Sequence, residues 1–201
     1  MRAYVNFLNT LRVHTFEYYA NKWEGQGKSV EDYKSLARFI NHATGRGDLG
    51  KLQGAAGILN ATFFSPRYFA SRVQIPVDIF TSTPAVRKVV ARNLTSFVAG
   101  GMFILALAKM AGAETEDDPR SADFGKIKAG NTRYDFWGGF LPLVRLTAQL
   151  ITGERKRTAT GEIIPADAED LILNFLQSKE SPIIGLALEL KRGETAIGEE
   201  V

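Results

Sequence analysis

Apolar residues recur mostly at helical spacing along this chain, and glycines and prolines mark where helices stop and restart. A first helix is predicted from Ala3 to Trp23, ended by the Gly25-Gln26-Gly27 break. Ser29-Val30-Glu31-Asp32 reads as a capping box with an aspartate in place of the preferred Glu or Gln. Tyr33, Leu36, Ala37 and Ile40 then share one helix face, which Gly45 stops, and a third helix is predicted from Leu52 to Phe63. Ser65-Pro66, Thr83-Pro84 and Ser181-Pro182 each read as an N-cap followed by proline at the first helical position, where its missing N–H costs nothing. Pro165 and Asp167 precede a short helix bearing Leu171, Leu173, Phe175 and Leu176, and Gly193 ends the last helix. Two stretches depart from this period: Lys126 to Asp135 alternates around Gly130-Asn131 as a hairpin, and Arg157 to Ile164 reads as another. The pattern predicts a mainly α protein, a single helical domain over residues 1–201. It has one long hydrophobic helix from Pro84 to Gly112 and one or two small β-hairpins.

That long helix contains sixteen consecutive uncharged residues, Asn93 to Ala108, flanked by Arg92 and Lys109. The run reaches about 24 Å as a helix, and about 30 Å if it continues to Ala113 with Lys109 snorkelling, against a hydrocarbon core of about 30 Å. Two placements fit. The favoured one is a buried central helix of a soluble fold. The other is contact with a membrane or with another domain, through Gly100, Gly101, Phe103, Leu105 and Leu107. Gly100-Gly101, with Ser96 four residues before Gly100, permits close helix approach, and Arg87, Lys88 and Arg92 upstream suit an anionic surface.

Charge sharpens the second placement. The formal net charge of +3 hides an uneven chain, with 13 Lys/Arg against 6 Asp/Glu in residues 1–92 and 12 against 16 thereafter. A basic half suits nucleic acid or an anionic membrane. Phe63 to Arg72 interleaves aromatics with arginine, the composition of a platform that stacks single-stranded bases. On that reading Arg67, Arg72, Arg87, Lys88 and Arg92 contact phosphate.

Other chemistry is sparse. The absence of cysteine excludes disulfides, thiol catalysis and cysteine-zinc sites, and His14 and His42 sit in different predicted helices without companions, so neither metal nor cofactor is expected. The first twelve residues lack the apolar region and cleavage site of a secretory signal. Gly45 to Leu52 satisfies G-x-G-x-x-G, but it follows a helical segment and places Leu52 where a phosphate loop needs a hydroxyl, so it reads as an interhelical turn. Arg46-Gly47-Asp48 lacks an adhesive context. Glu114, Glu116, Asp117 and Asp118 lack the spacing of a calcium loop and read as solvation of a helix end. An enzyme would need Asp123, Asp135 and Arg133 grouped in one pocket.

Five segments together resemble a known family: Arg2 to Arg12, Asn41 to Gly47, Phe63 to Arg67, Asp118 to Lys128 and Gly130 to Phe140. The chain resembles a large polyvalent-protein-associated domain, found towards the ends of very long proteins of bacteriophages and conjugative elements, and the likeness covers nearly the whole chain. It implies a segment of a giant protein that enters the recipient cell with DNA, placed in the virion or in the host cytoplasm or inner membrane. It supplies no catalytic residues. The expected function is a non-enzymatic structural or interaction module that contacts membrane or other domains of its parent, with no small-molecule substrate. The alternative is a nucleic-acid-binding module using the basic half. Arg67 and Arg133, within the shared segments, are expected to tie loops to carboxylates.

Overall fold

A computed structural model describes residues 2–192, so the helix end expected at Gly193 lies outside the described residues. Among these the protein is mainly α, with eight α-helices: α1 (Arg2–Trp23), α2 (Val30–Ala43), α3 (Ala56–Thr62), α4 (Pro66–Thr81), α5 (Pro84–Met110), α6 (Leu141–Thr152), α7 (Ala168–Gln177) and α8 (Pro182–Arg192). Two small antiparallel sheets join them, one of β1 (Glu114–Thr115), β2 (Ile127–Ala129) and β3 (Thr132–Tyr134), the other of β4 (Glu154–Lys156) and β5 (Ile163–Pro165). The contacts divide the chain into two compact units, residues 1–53 with 67–98, and residues 54–66 with 99–201.

The first unit is helical throughout. Its core draws Trp23 from α1, Leu36, Phe39 and Ile40 from α2, Ile75 from α4, and Val86 and Val90 from one face of α5. The capping box forms as expected: the Ser29 N–H donates to the Asp32 carboxylate at 2.9 Å and the Asp32 N–H to the Ser29 hydroxyl at 3.2 Å. Aromatic rings then join α1 to α2, with Tyr33 6.1 Å from Phe16 and 5.7 Å from Trp23. The end of α4 is closed by two arginines. Arg87 donates to the carbonyls of Ser82 and Phe80, and Arg38 to that of Thr81, satisfying groups a helix C-terminus leaves open.

His42 and Asp78 are buried together in this unit. The Nδ1 atom lies 2.7 Å from the Asp78 carboxylate, and only 5% and 3% of the two side chains are exposed. Since a carboxylate only accepts, the Nδ1–H must donate. Arg38 stands 4.0 Å from the other carboxylate oxygen.

The second unit is built on Trp137. Leu105, Trp137 and Leu141 form its buried cluster, with Phe124, Ile127 and Phe136 packed around them. The indole N–H donates to the Gly125 carbonyl at 2.8 Å, and the Trp137 backbone N–H to Asp135 at 2.9 Å. The expected hairpin is present, with Ile127 opposite Tyr134 and Ala129 opposite Thr132, and β1 adds a third strand in which Glu114 faces Lys128. In the other sheet the strands lie at the edges of the predicted stretch, so residues 157–162 form its loop.

Three local expectations change. Between Leu52 and Phe63 the chain makes a 3₁₀ turn, Gly50–Ala55, before α3 begins, and none of the residues of either element is buried. Gly54 and Gly57 weaken that helix and no packed face restores it. Pro66 does open α4, but Ser65 has φ 51°, not the extended backbone of an N-cap. The preceding residues are fixed instead by pairing of Phe63 with Glu180 and by the Phe64 N–H donating to the Lys179 carbonyl. Finally, α5 is not a buried central helix. Only 17% of its most apolar stretch is buried.

Candidate functional site

The distal part of α5 carries two faces. At about 100° per residue, Gly101 and Leu105 point one way, and Phe103, Leu107 and Met110 lie on the opposite side. The buried side fits that geometry: Leu105 is 7% exposed in the Trp137 cluster, and a Cβ on Gly101 would lie within 2.9 Å of the Trp137 ring. The other side is open, with Phe103 64%, Leu107 48% and Met110 84% exposed, flanked by exposed Met102 and Ile104. Of the five expected contact residues, Gly100, Phe103 and Leu107 remain on a surface. Gly101 and Leu105 instead hold the second unit together, because a periodicity shows that two faces differ but not which one a neighbour covers.

The basic residues also separate by role. The Arg87 guanidinium closes α4, and that of Arg72 sits over the Tyr68 ring at 4.2 Å. Arg67 is half-buried and its carbonyl accepts from Gly47. Lys88 and Arg92 alone of the five line a cleft of about 650 Å³ in the first unit. The cleft's walls follow from helix spacing. Pro84, Ala85, Lys88, Val89 and Arg92 share a face of α5, while Tyr19, Lys22 and Trp23 share a face of α1 and Gln26 lies in the turn after it. Lys28 and Asp32 complete it. Among the described residues Lys22, Lys88 and Arg92 make no ion pair, and the Lys28 ammonium lies 5.7 Å from the Trp23 ring. The one carboxylate is occupied: Asp32 accepts from the Ser29 N–H and the Ser29 hydroxyl, each at 2.9 Å. Tyr19, Lys22 and Lys28 are not among the expected contact residues, although Tyr19, Lys22 and Trp23 stand at i, i+3, i+4 spacing on α1.

The glycine loop is closed to phosphate. The N–H groups of Gly45, Arg46 and Gly47 donate to the carbonyls of His42, Asn41 and Arg67, and those of Asp48 and Gly50 to the side chains of Gln74 and Asp48. A Cβ on Gly47 would lie 2.5 Å from the Arg67 carbonyl oxygen, so this glycine serves close packing of the loop on α4.

The acidic cluster does more than solvate a helix end. Glu114 pairs with Lys128, Glu116 with Lys156, Asp117 with Lys109, and Asp118 with Arg120, which also reaches Glu154. Glu114, Glu116, Asp123 and Arg133 line a second cleft of about 180 Å³. Arg133 does bind a carboxylate, Asp123 at 2.5 Å, whereas Asp135 is outside that cleft and caps the Trp137 turn. Among the described residues Arg67 has no such partner. Hydrogen bonding and charge from Lys128 lower Glu114. Burial raises Glu116, but the Lys156 bond and the Asp118 N–H outweigh it, and the net shift is downward.

Comparison of the chain with family models, curated proteins and solved structures gives no match.

Proposed function

We propose that this chain is a non-enzymatic interaction module of a phage-type protein delivered with DNA, and that it contacts membrane through the exposed face of α5. The observation that carries the reading is the row of Phe103, Leu107 and Met110 facing solvent opposite the packed Gly101 and Leu105. An exposed apolar face of this kind is costly in water and gains free energy on transfer to a bilayer interface. Because Trp137 and Leu141 occupy the other side, the helix offers one face rather than its whole circumference, which suits lying on a membrane better than crossing it. The phage context rests on the resemblance of the five segments. Three of them supply Phe124, Gly125, Ile127, Phe136 and Trp137 around the second unit's core, or Gly47 in the first, which is consistent with a fold signature. The acids of the polar cleft are engaged in pairs that hold the sheets, Glu114 with Lys128, Glu116 with Lys156 and Asp123 with Arg133, which suits a structural role for them. Flotation with phosphatidylglycerol vesicles tests it: the parent rises with the lipid and a folded Phe103→Ser/Leu107→Ser variant stays at the bottom. Equal flotation of both would reject the proposed face.

The basic cleft favours a second reading, nucleic-acid binding through Lys22, Lys28, Lys88 and Arg92. Affinity for single-stranded DNA or RNA would then fall steeply with salt, and Arg92→Ala would reduce the log–log slope by about 1. Salt-insensitive or absent binding ends this reading.

A further inference from the structure

A third cleft, wholly within the second unit, gathers positive charge without an acid. It has a volume of about 300 Å³ and is lined by Arg145, Gln149, Arg155, Asn174 and the core side chains Leu171 and Phe175 among others, with no aspartate or glutamate on its walls. The helices make this arrangement: Arg145 and Gln149 are four apart on α6, and Leu171, Asn174 and Phe175 share a face of α7 packed against it. Lys156 is already paired with Glu116, and Gln149 donates to the Arg120 carbonyl. The side chains of Arg145 and Arg155 form no ion pair or hydrogen bond among the described residues.

Arg145 is the anomaly. It is a half-buried guanidinium without a counter-charge, and burial lowers its pKa. Lys179 is close enough for the Arg145 charge, after burial, to lower it further. Its ammonium stands 5.2 Å from the Phe175 ring. Two neighbouring cations withdrawn from water destabilise the fold unless something negative completes the set. Arg145 at the wall, Arg155 at the exposed mouth and the Asn174 amide supply N–H donors, and the polar oxygens of a small tetrahedral anion can take several at once.

We propose that this cleft binds a phosphate group, with Arg145 as the central cation and Arg155 at the mouth. The site is independent of the exposed face of α5 and of the basic cleft in the first unit. Its source is either a soluble phosphate compound or the headgroup of a phospholipid.

The test compares thermal unfolding of the full chain in inorganic phosphate and in sodium chloride at matched ionic strength. The melting temperature rises saturably in phosphate and not in chloride, since a ligand that binds only the folded state stabilises it by mass action. Arg145→Met abolishes that rise and melts higher than the parent when no phosphate is present, because it removes an uncompensated charge. Arg155→Met, at the exposed mouth, weakens phosphate binding about tenfold without altering the phosphate-free melting temperature. Glycerol phosphate and phosphatidic acid vesicles separate the sources: binding to the first identifies a soluble ligand, and binding to the vesicles alone, lost in Arg155→Met, identifies a headgroup. Equal responses to phosphate and chloride together with no vesicle binding would overturn the proposal. So would a phosphate response that survives both substitutions.

Discussion

Gly100 and Gly101 are adjacent in α5, yet alanine at the two positions has opposite consequences. A Cβ at Gly100 meets nothing within 4 Å. Replacing a mid-helix glycine with alanine there restricts the unfolded chain without touching the folded one, so Gly100→Ala stabilises by roughly 0.5–1 kcal/mol. At Gly101 the same propensity gain, about 1 kcal/mol, competes with a collision. Its Cβ would come within 2.9 Å of three atoms of the Trp137 six-membered ring. The ring is not free to swing aside, because its N–H is bonded to Gly125, whose own Cβ position lies 3.1 Å from both the indole nitrogen and Leu141. Overpacking costs about 1–3 kcal/mol, and stretching or losing the buried indole bond adds roughly 1–3 kcal/mol more, so Gly101→Ala is destabilising by about 1–5 kcal/mol net. Urea unfolding followed by far-ultraviolet circular dichroism measures both, provided the slope with denaturant is unchanged. Shifts of the same sign within about 0.5 kcal/mol would mean that α5 does not turn Gly101 towards Trp137.

The buried pair in the first unit gives an asymmetric result. His42→Ala removes the 2.7 Å hydrogen-bond donor from a buried carboxylate and leaves it Arg38 at 4.0 Å, costing about 3–5 kcal/mol. Asp78→Asn keeps the shape and an acceptor and costs about 1 kcal/mol. The same urea assay ranks them, and an equal or larger loss for Asp78→Asn would contradict the pairing. In the second unit, the bond from Arg120 holds the Asp118 carboxyl at about 2 against an ordinary 3.8. A depressed folded-state pKa stabilises above the unfolded value, and that contribution is lost as pH falls from 3.8 to about 2. Urea midpoints over that range should fall less steeply in Asp118→Asn, and parallel pH profiles would remove Asp118 as a cause.

What the sequence made legible was mostly local. Helix starts at Pro66, Pro84 and Pro182, the Ser29 capping box and the Gly130-Asn131 hairpin each depend on a few consecutive residues, and all are present. Between Leu52 and Phe63 the apolar spacing predicts a helix without specifying anything for its face to pack on. Two glycines left a 3₁₀ turn and a short α3 with no residue buried. Pairings distant in sequence were not legible at all. His42 and Asp78 are 36 residues apart, and Trp137 finds Gly101 and Gly125 on other elements. For the same reason the two faces of α5 could not be told apart from the sequence. Hydropathy marked Leu105 and Leu107 equally, and only the position of Trp137 separates a core residue from a surface one.

The absence of cysteine makes the proposed membrane face directly measurable, since a single thiol introduced by substitution can carry an environment-sensitive nitrobenzoxadiazole label. Labels are placed separately through Phe103→Cys, through Leu107→Cys and, as a control on α1, through Glu17→Cys, and spectra are taken with and without phosphatidylglycerol vesicles. Membrane contact through α5 predicts a blue shift and brightening at positions 103 and 107 and no change at position 17. Labels at 103 and 107 that keep their aqueous spectra while the chain is bound to vesicles would contradict it.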